Sequence, residues 1–119
     1  MTISQLQTTI ELHFSAGRAA IGDQAAMTAF LALRAALERG EVRAASPDAD
    51  SPTKWRVNAW VKQGILLGFR LGVLQEFPAA GLSFVDKGTY PVRHFNSADG
   101  VRIVPGGSSI RAEPAPSGV

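Results

Sequence analysis

The apolar positions of this chain recur first with a helical period. Ile3, Leu6, Ile10 and Phe14 follow one another at spacings of three and four, which predicts an amphipathic helix. Thr2-Ile3-Ser4-Gln5 at its start has the form of a capping box. There the Thr2 hydroxyl and the Gln5 amide serve free backbone N–H groups. Gly17 or Gly22 ends this helix, and His13 beside the apolar face reads as a structural histidine. A second stripe, Met27, Phe30, Leu31, Leu33 and Leu37, predicts a helix capped by Asp23 and stopped by Gly40. Arg39 in its last turn suits the negative end of the helix dipole. Such a stripe reads as core, not as a cofactor box.

The period then changes to two. In "EVRAA", Val42 and Ala44 alternate with Glu41 and Arg43; in "KWRVN", Trp55 and Val57 alternate with Lys54 and Arg56. The polar stretch "SPDADSPT" between them predicts the mobile tip of a β-hairpin. Asn58 then caps a third helix, "AWVKQGILLGFRL", which ends at Gly72. Apolar residues cover most of its circumference, with Lys62, Gln63 and Arg70 as the strongly polar positions, so it reads as the central helix. Gly64 and Gly68, four apart, permit a close approach by a neighbour. From residue 73 to 100, Pro78, Gly81, Gly88 and Pro91 interrupt every period. That predicts an irregular, partly extended segment lying over the helices. The fold class is α+β: three helices, a β-hairpin and an extended C-terminal segment.

Composition narrows the possibilities. At 119 residues, with 45% hydrophobic and 18% charged residues, the chain suits one globular domain with a modest core. It has no cysteine, which excludes disulfides and thiol chemistry and fits a reducing compartment. The N-terminus lacks a basic stretch followed by an apolar one. The longest uncharged apolar run, "GILLGF", falls far short of the ~20 residues of a membrane span. A cytoplasmic protein without a membrane partner is the expectation. The formal charge of +2 is uneven: residues 1–53 carry net −2 and residues 54–119 net +4. The basic half suits either an anionic partner or ordinary solvated surface.

Little of this supports self-contained chemistry. His13 and His94 are the only histidines, so no metal site and no bound cofactor are expected. "PGGSS" is rich in glycine but lacks the lysine and the strand-to-helix setting of a phosphate loop. No catalytic residue is assigned. "KWRVNAWVKQ" sets Trp55 and Trp60 among Lys54, Arg56 and Lys62, a composition that binds single-stranded nucleic acid when the rings are exposed. The strand-to-helix reading turns both tryptophans into the core, so no nucleic-acid partner is expected.

The third helix brings a resemblance. "WVKQGILLGFR" is similar to the W-[LV]-K-x-[AG]-[IV]-L-L-x-F-R segment of the bacterial tetrahydrodipicolinate N-succinyltransferases. "ISQLQTTIE" resembles that family's first helix, "ALERGEVRAA" its "LLDSGELRVAE" region, and "FVDK" its "YFDK". "GVRIVPGGSSIRA" resembles its R-[IV]-V-P lead-in to the catalytic domain. The likeness runs over about residues 1–112. The segment between "FVDK" and Arg102 is shorter than in many members, which carry a further helix there.

The resemblance implies transfer of a succinyl group from succinyl-CoA to the amino group of ring-opened tetrahydrodipicolinate, toward diaminopimelate and lysine. It implies an N-terminal α+β domain, a left-handed parallel β-helix and a small C-terminal piece. It also implies homotrimers with active sites between neighbouring β-helices. By that likeness residues 1–107 are the N-terminal domain, and residues 108–119 begin a β-helix coil and then run into a disordered tail. Val104 and Ile110 have the six-residue spacing of inward positions in such a coil, but the next one is Pro116. Three origins fit that ending: a frameshifted or truncated product, a fragment without its catalytic half, and a small protein that keeps the domain for binding. The resemblance makes Arg102 the residue that contacts the dicarboxylate substrate, with a planar guanidinium that grips a carboxylate bidentately. The alternative is a surface arginine paired with a neighbour such as Asp99. Succinyl-CoA is then the co-substrate of the full-length enzyme, bound elsewhere, and the 119-residue chain alone is expected to be inactive. The competing expectation is a non-enzymatic module that docks on a full-length paralog or another protein.

Overall fold

The structure is a computed structural model that describes residues 1–78, 83–104 and 110. The first helix, α1 (Ile3–Ser15), starts from the expected capping box. The Thr2 hydroxyl accepts from the Gln5 N–H at 3.1 Å, and the Gln5 side chain accepts from the Thr2 N–H at 2.8 Å. A short 3-10 turn, Gly17–Ala20, follows directly, so Gly17 is the glycine that stops α1, with φ of 61°. The second helix, α2 (Gln24–Glu38), starts from Asp23, whose carboxylate accepts from the Ala25 N–H at 2.8 Å. It ends at Gly40, with φ of 74°, in paired bonds from Gly40 N–H to the Leu37 carbonyl and from Glu41 N–H to the Ala36 carbonyl. Arg39 forks onto Glu41 at 2.8 and 3.0 Å, and these donors hold the Glu41 carboxyl below the usual carboxylate range. Both side chains face water, so the pair adds little. What it adds is present above the ordinary carboxylate pKa and is lost as acid protonates Glu41.

Strands β1 (Ala45–Pro47) and β2 (Trp55–Val57) form an antiparallel hairpin, with Ala45 opposite Val57 and Pro47 opposite Trp55. The first strand lies later than the alternation of "EVRAA" predicts. Glu41 is spent closing α2, and Val42 is buried against the core. The tip is not an open loop: Asp48 N–H donates to the Lys54 carbonyl and Asp50 N–H to the Asp48 carboxylate. Trp55 is a second correction, because it is 48% exposed instead of turned inward. A hairpin of three-residue strands is too small to enclose a ring of that size. Trp60, in contrast, packs against the core.

Helix α3 (Ala59–Leu71) begins after Asn58, but the Asn58 side chain does not cap it. Its amide nitrogen donates to the Arg43 carbonyl at 2.7 Å and to the Ser46 hydroxyl at 2.9 Å, which ties the first hairpin to the start of α3. Residues 73–88 also depart from the expected irregular run. β3 (Leu74–Glu76) and β4 (Val85–Lys87) form a second antiparallel hairpin, with Gln75 opposite Asp86. The signal was missed because Pro78 and Gly81 in its loop mask the short alternation on either side. The architecture is α+β, three helices and two small antiparallel sheets. The expected coil start and tail at 108–119 lie outside the described residues, apart from Ile110. No helix among the described residues is long and apolar enough to cross a membrane.

Each helix contacts the other two. Leu6 and Ile10 of α1, Phe30 and Leu33 of α2, and Val61 and Leu67 of α3 fill the space between them. His13 is buried, with Nδ1 3.9 Å from the Asp23 carboxylate, in keeping with a structural role. Arg70 reaches from α3 to the C-terminal end of α1. It donates to the Phe14 carbonyl at 2.9 Å and lies over the Phe14 ring, 5.0 Å from its centroid. The face of α3 away from α1 and α2 leaves Leu66 and Phe69 partly exposed, so the helix is central without being fully enclosed.

The glycines of α3 make this packing possible. A Cβ on Gly64 would run into the Leu33 side chain, and one on Gly68 into the Phe30 ring and the Tyr90 hydroxyl. Gly68→Ala therefore sets two effects against each other. Alanine gains about 1 kcal/mol of helix propensity over glycine. Overpacking against a ring and a hydrogen-bonded hydroxyl costs about 1–3 kcal/mol. The expected net result is a lower thermal midpoint by circular dichroism, by about 4–8 °C for each kcal/mol lost. An unchanged or raised midpoint would show that the aromatic pair yields freely.

Candidate functional site

Beyond α3 the chain doubles back as a strap that ends near Arg102, and four contacts fix its first part. Lys87 Nζ donates to the Gly72 carbonyl at 3.0 Å, and Thr89 Oγ1 to the Gly68 carbonyl at 2.8 Å. Arg34 of α2 donates through Nη1 to the Thr89 carbonyl at 2.8 Å. The Tyr90 hydroxyl donates to the Ile65 carbonyl. The Tyr90 ring sits edge-on to Phe30, centroids 5.4 Å apart, and tilted against Phe69 at 4.5 Å. Only 2% of Tyr90 is exposed, so the strap is a component of the core.

After Pro91 the strap leaves the helices. The Arg93 N–H donates to the Ile110 carbonyl at 2.8 Å, and the Arg93 guanidinium stacks on Phe95, 4.8 Å from the ring centroid. Asn96 starts a 3-10 turn, Ser97–Asp99, with reciprocal bonds: its side chain accepts from the Ala98 N–H, and Asp99 accepts from the Asn96 N–H, each at 2.9 Å. Gly100 closes that turn with φ of 69°, a conformation that suits glycine. Residues 101–104 follow.

Arg102 is exposed in this last segment. Among the described residues it has no hydrogen-bond or ion-pair partner. The alternative pairing with Asp99 does not form, because Asp99 is engaged by Asn96. His94 lies on the same stretch, and no group of histidine and carboxylate side chains able to hold a metal occurs among the described residues. A shallow recess of about 250 Å³ opens between α2, the end of α3 and the second hairpin. Met27, Leu31, Val73 and Thr89 line it, and its one cation, Arg34, is already committed to the Thr89 carbonyl. The exposed Arg102 thus leaves its guanidinium donors open among the described residues. Sequence reasoning assigned Arg102; Arg93, on the same strap, carries no motif or spacing that marks it out.

Comparison with known proteins gives the family. The sequence model of a family described as "Tetrahydrodipicolinate N-succinyltransferase N-terminal" matches residues 5–71. The chain is 34% identical over 116 residues to a 2,3,4,5-tetrahydropyridine-2,6-dicarboxylate N-succinyltransferase of Afipia carboxidovorans, covering 89% of this chain and 40% of that one. An enzyme of the same name from Acidovorax sp. (strain JS42) is 33% identical over 109 residues, covering 85% and 39%. One from Azoarcus sp. (strain BH72) is 37% identical over 76 residues, covering 60% and 26%. The chain belongs to this N-succinyltransferase family, and it spans at most about two fifths of the length of these relatives.

The anchoring of the strap is open to test. Arg34→Ala removes a charged donor from the partly buried Thr89 carbonyl. The loss expected is about 1–3 kcal/mol in urea unfolding, and amide exchange should quicken at Thr89 and Tyr90. Arg39→Ala, at a pair wholly in water, should leave both readings close to those of the unaltered chain. Equal effects of the two substitutions would show that Arg34 does not hold the strap.

Proposed function

We propose, with membership of the N-succinyltransferase family as the premise, that this domain is the substrate-side and assembly domain of an acyltransferase. The reaction is transfer of a succinyl group from succinyl-CoA to tetrahydrodipicolinate, a step toward diaminopimelate and lysine. The relatives are named for a 2,6-dicarboxylate substrate. The observation that carries the reading is Arg102. Its guanidinium is exposed and has no protein acceptor among the described residues, so its donors are open to a ligand. A carboxylate meets that planar fork with two parallel hydrogen bonds. In this role Arg102 holds and orients the acceptor, while nucleophilic attack on the thioester takes place against other parts of the enzyme. Succinyl-CoA is a co-substrate that those other parts hold.

The assembly role rests on the hairpins. Trp55 and Val57 on one, and Leu74 and Val85 on the other, leave apolar side chains in water. Such patches suit contact with a further part of the enzyme or with neighbouring subunits of a homotrimer. The same patches favour a second reading, in which the domain is a non-enzymatic module that docks on a full-length paralog.

The 119-residue chain, mixed with succinyl-CoA and tetrahydrodipicolinate, is expected to release no CoA thiol. Clear turnover would sink the assignment of catalysis to other parts. For Arg102 the test is a chimera in which this domain replaces the N-terminal domain of the Afipia relative. Arg102→Ala should lower kcat/KM for the dicarboxylate by about 10- to 100-fold, the value of a charge-assisted hydrogen bond. Unchanged kinetics would remove the residue from the site. Co-elution of the chain with a full-length copy that itself stays fully active, without the chain entering its trimers, would favour the second reading.

A further inference from the structure

Among the described residues, one cation has a buried donor with nothing to donate to. Arg93 Nη1 is shielded from solvent and has no hydrogen-bond partner there. Several other cations of the described residues are served. Arg34 has the Thr89 carbonyl, Arg70 the Phe14 carbonyl, Lys87 the Gly72 carbonyl and Lys54 the Ala49 carbonyl. Arg102 is also without an acceptor among the described residues, but it is exposed and open to solvent. Leaving a buried charged donor unmet is costly, and buried polar groups are paired in the great majority of native structures. An unpaired one therefore calls for an acceptor beyond the described residues, and a bound anion supplies one.

The surroundings define that acceptor. The guanidinium face is taken up by the Phe95 ring, so a ligand meets its edge. The acid between Arg93 and Arg102, Asp99, is committed to the Asn96 N–H and does not neutralise either arginine. The Arg93 N–H bond to the Ile110 carbonyl closes the loop of chain on which Arg102 lies. A planar edge with one positive charge fits a singly charged planar anion better than a phosphate dianion.

We propose that Arg93 is a carboxylate-binding residue, with Nη1 as the donor and Phe95 as the platform that orients it. This rests on the reading of Arg102 as one grip on a dicarboxylate and makes Arg93 the grip on the other carboxylate. Two separate cations then explain how a dicarboxylate is told from a monocarboxylate: the second charge is worth binding energy only if a second arginine meets it.

The test uses the 119-residue chain with 15N-labelled arginine and follows the guanidinium Nε–H signals, assigned with Arg93→Lys and Arg102→Lys. The probes are pyridine-2,6-dicarboxylate, pyridine-2-carboxylate and inorganic phosphate. The Arg93 signal should shift with both carboxylates, with the dicarboxylate bound more tightly. Arg93→Lys, which keeps the charge but loses the fork, should weaken the dicarboxylate by about tenfold or more and erase its advantage over the monocarboxylate. Its thermal midpoint, read in parallel, separates lost binding from lost folding. A Phe95→Leu variant checks the site without touching the arginine and should weaken both carboxylates alike. A shift at Arg102 with none at Arg93 overturns this proposal and leaves the reading of Arg102 standing. A shift at Arg93 alone supports Arg93 as a carboxylate-binding residue and overturns its pairing with Arg102. Silence at Arg93 toward all three anions, or a stronger response to phosphate than to the carboxylates, overturns it.

Discussion

The structure depends on how closely Tyr90 approaches the backbone of α3. Its ring fills the gap between Phe30 and Phe69, and its hydroxyl reaches the Ile65 carbonyl inside the helix. Gly68 makes that approach possible, since any side chain there would meet both Phe30 and Tyr90. The neighbouring Thr89 adds a bond to the Gly68 carbonyl itself. A segment that follows three helices in sequence is thereby built into their shared core. Three helices of this length have a limited core, and an aromatic from the strap adds a large buried surface to it. The position of the arginines beyond Pro91 follows from this one anchor.

Much of the helical part was legible because it rests on local rules. Thr2, Gln5, Asp23 and Gly40 act within a few residues of their own positions, and the periodic stripes need only one face to be covered. Gly64 and Gly68 were also readable, since their spacing on an apolar helix has few other uses. What escaped depends on partners distant in sequence. Asn58 has the residue type of an N-cap, yet its amide is drawn to Arg43 and Ser46 across the hairpin. Trp55 alternates as if one face were buried, but that face stays about half exposed. The β3–β4 hairpin is held by its placement on the end of α3, through Gly72 and Val73, and three-residue strands leave too short an alternation to see.

The candidate site divides in the same way. Arg102 was reachable through its resemblance to a motif, and the structure adds that it is exposed and unclaimed. Arg93 carries no motif, and only the missing acceptor at its buried Nη1 distinguishes it from the other arginines. Division of labour fits what the domain offers. Arginines can hold and orient an anionic substrate from a small α+β unit, whereas attack on a thioester needs groups placed to within fractions of an ångström on a rigid frame. The relatives are more than twice as long as the region they share with this chain.

The two hairpins differ in how they leave their outer edges. The bonds from Asn58 N–H to Ala44 and from Asp48 N–H to Lys54 fix the phase of the first ladder. Ala45 and Pro47 therefore turn their backbone nitrogens outward. Proline has no hydrogen to offer there, so the free edge of β1 is left with a single donor. In the second hairpin the bonds from Phe77 N–H to Phe84 and from Gly88 N–H to Val73 turn Leu74 and Glu76 outward, both with their N–H groups intact. One edge is blunted against the addition of a strand and the other is not. In a crowded solution of identical chains, strand addition along β1 is thus disfavoured relative to strand addition along β3, where a proline would be the least intrusive guard against it.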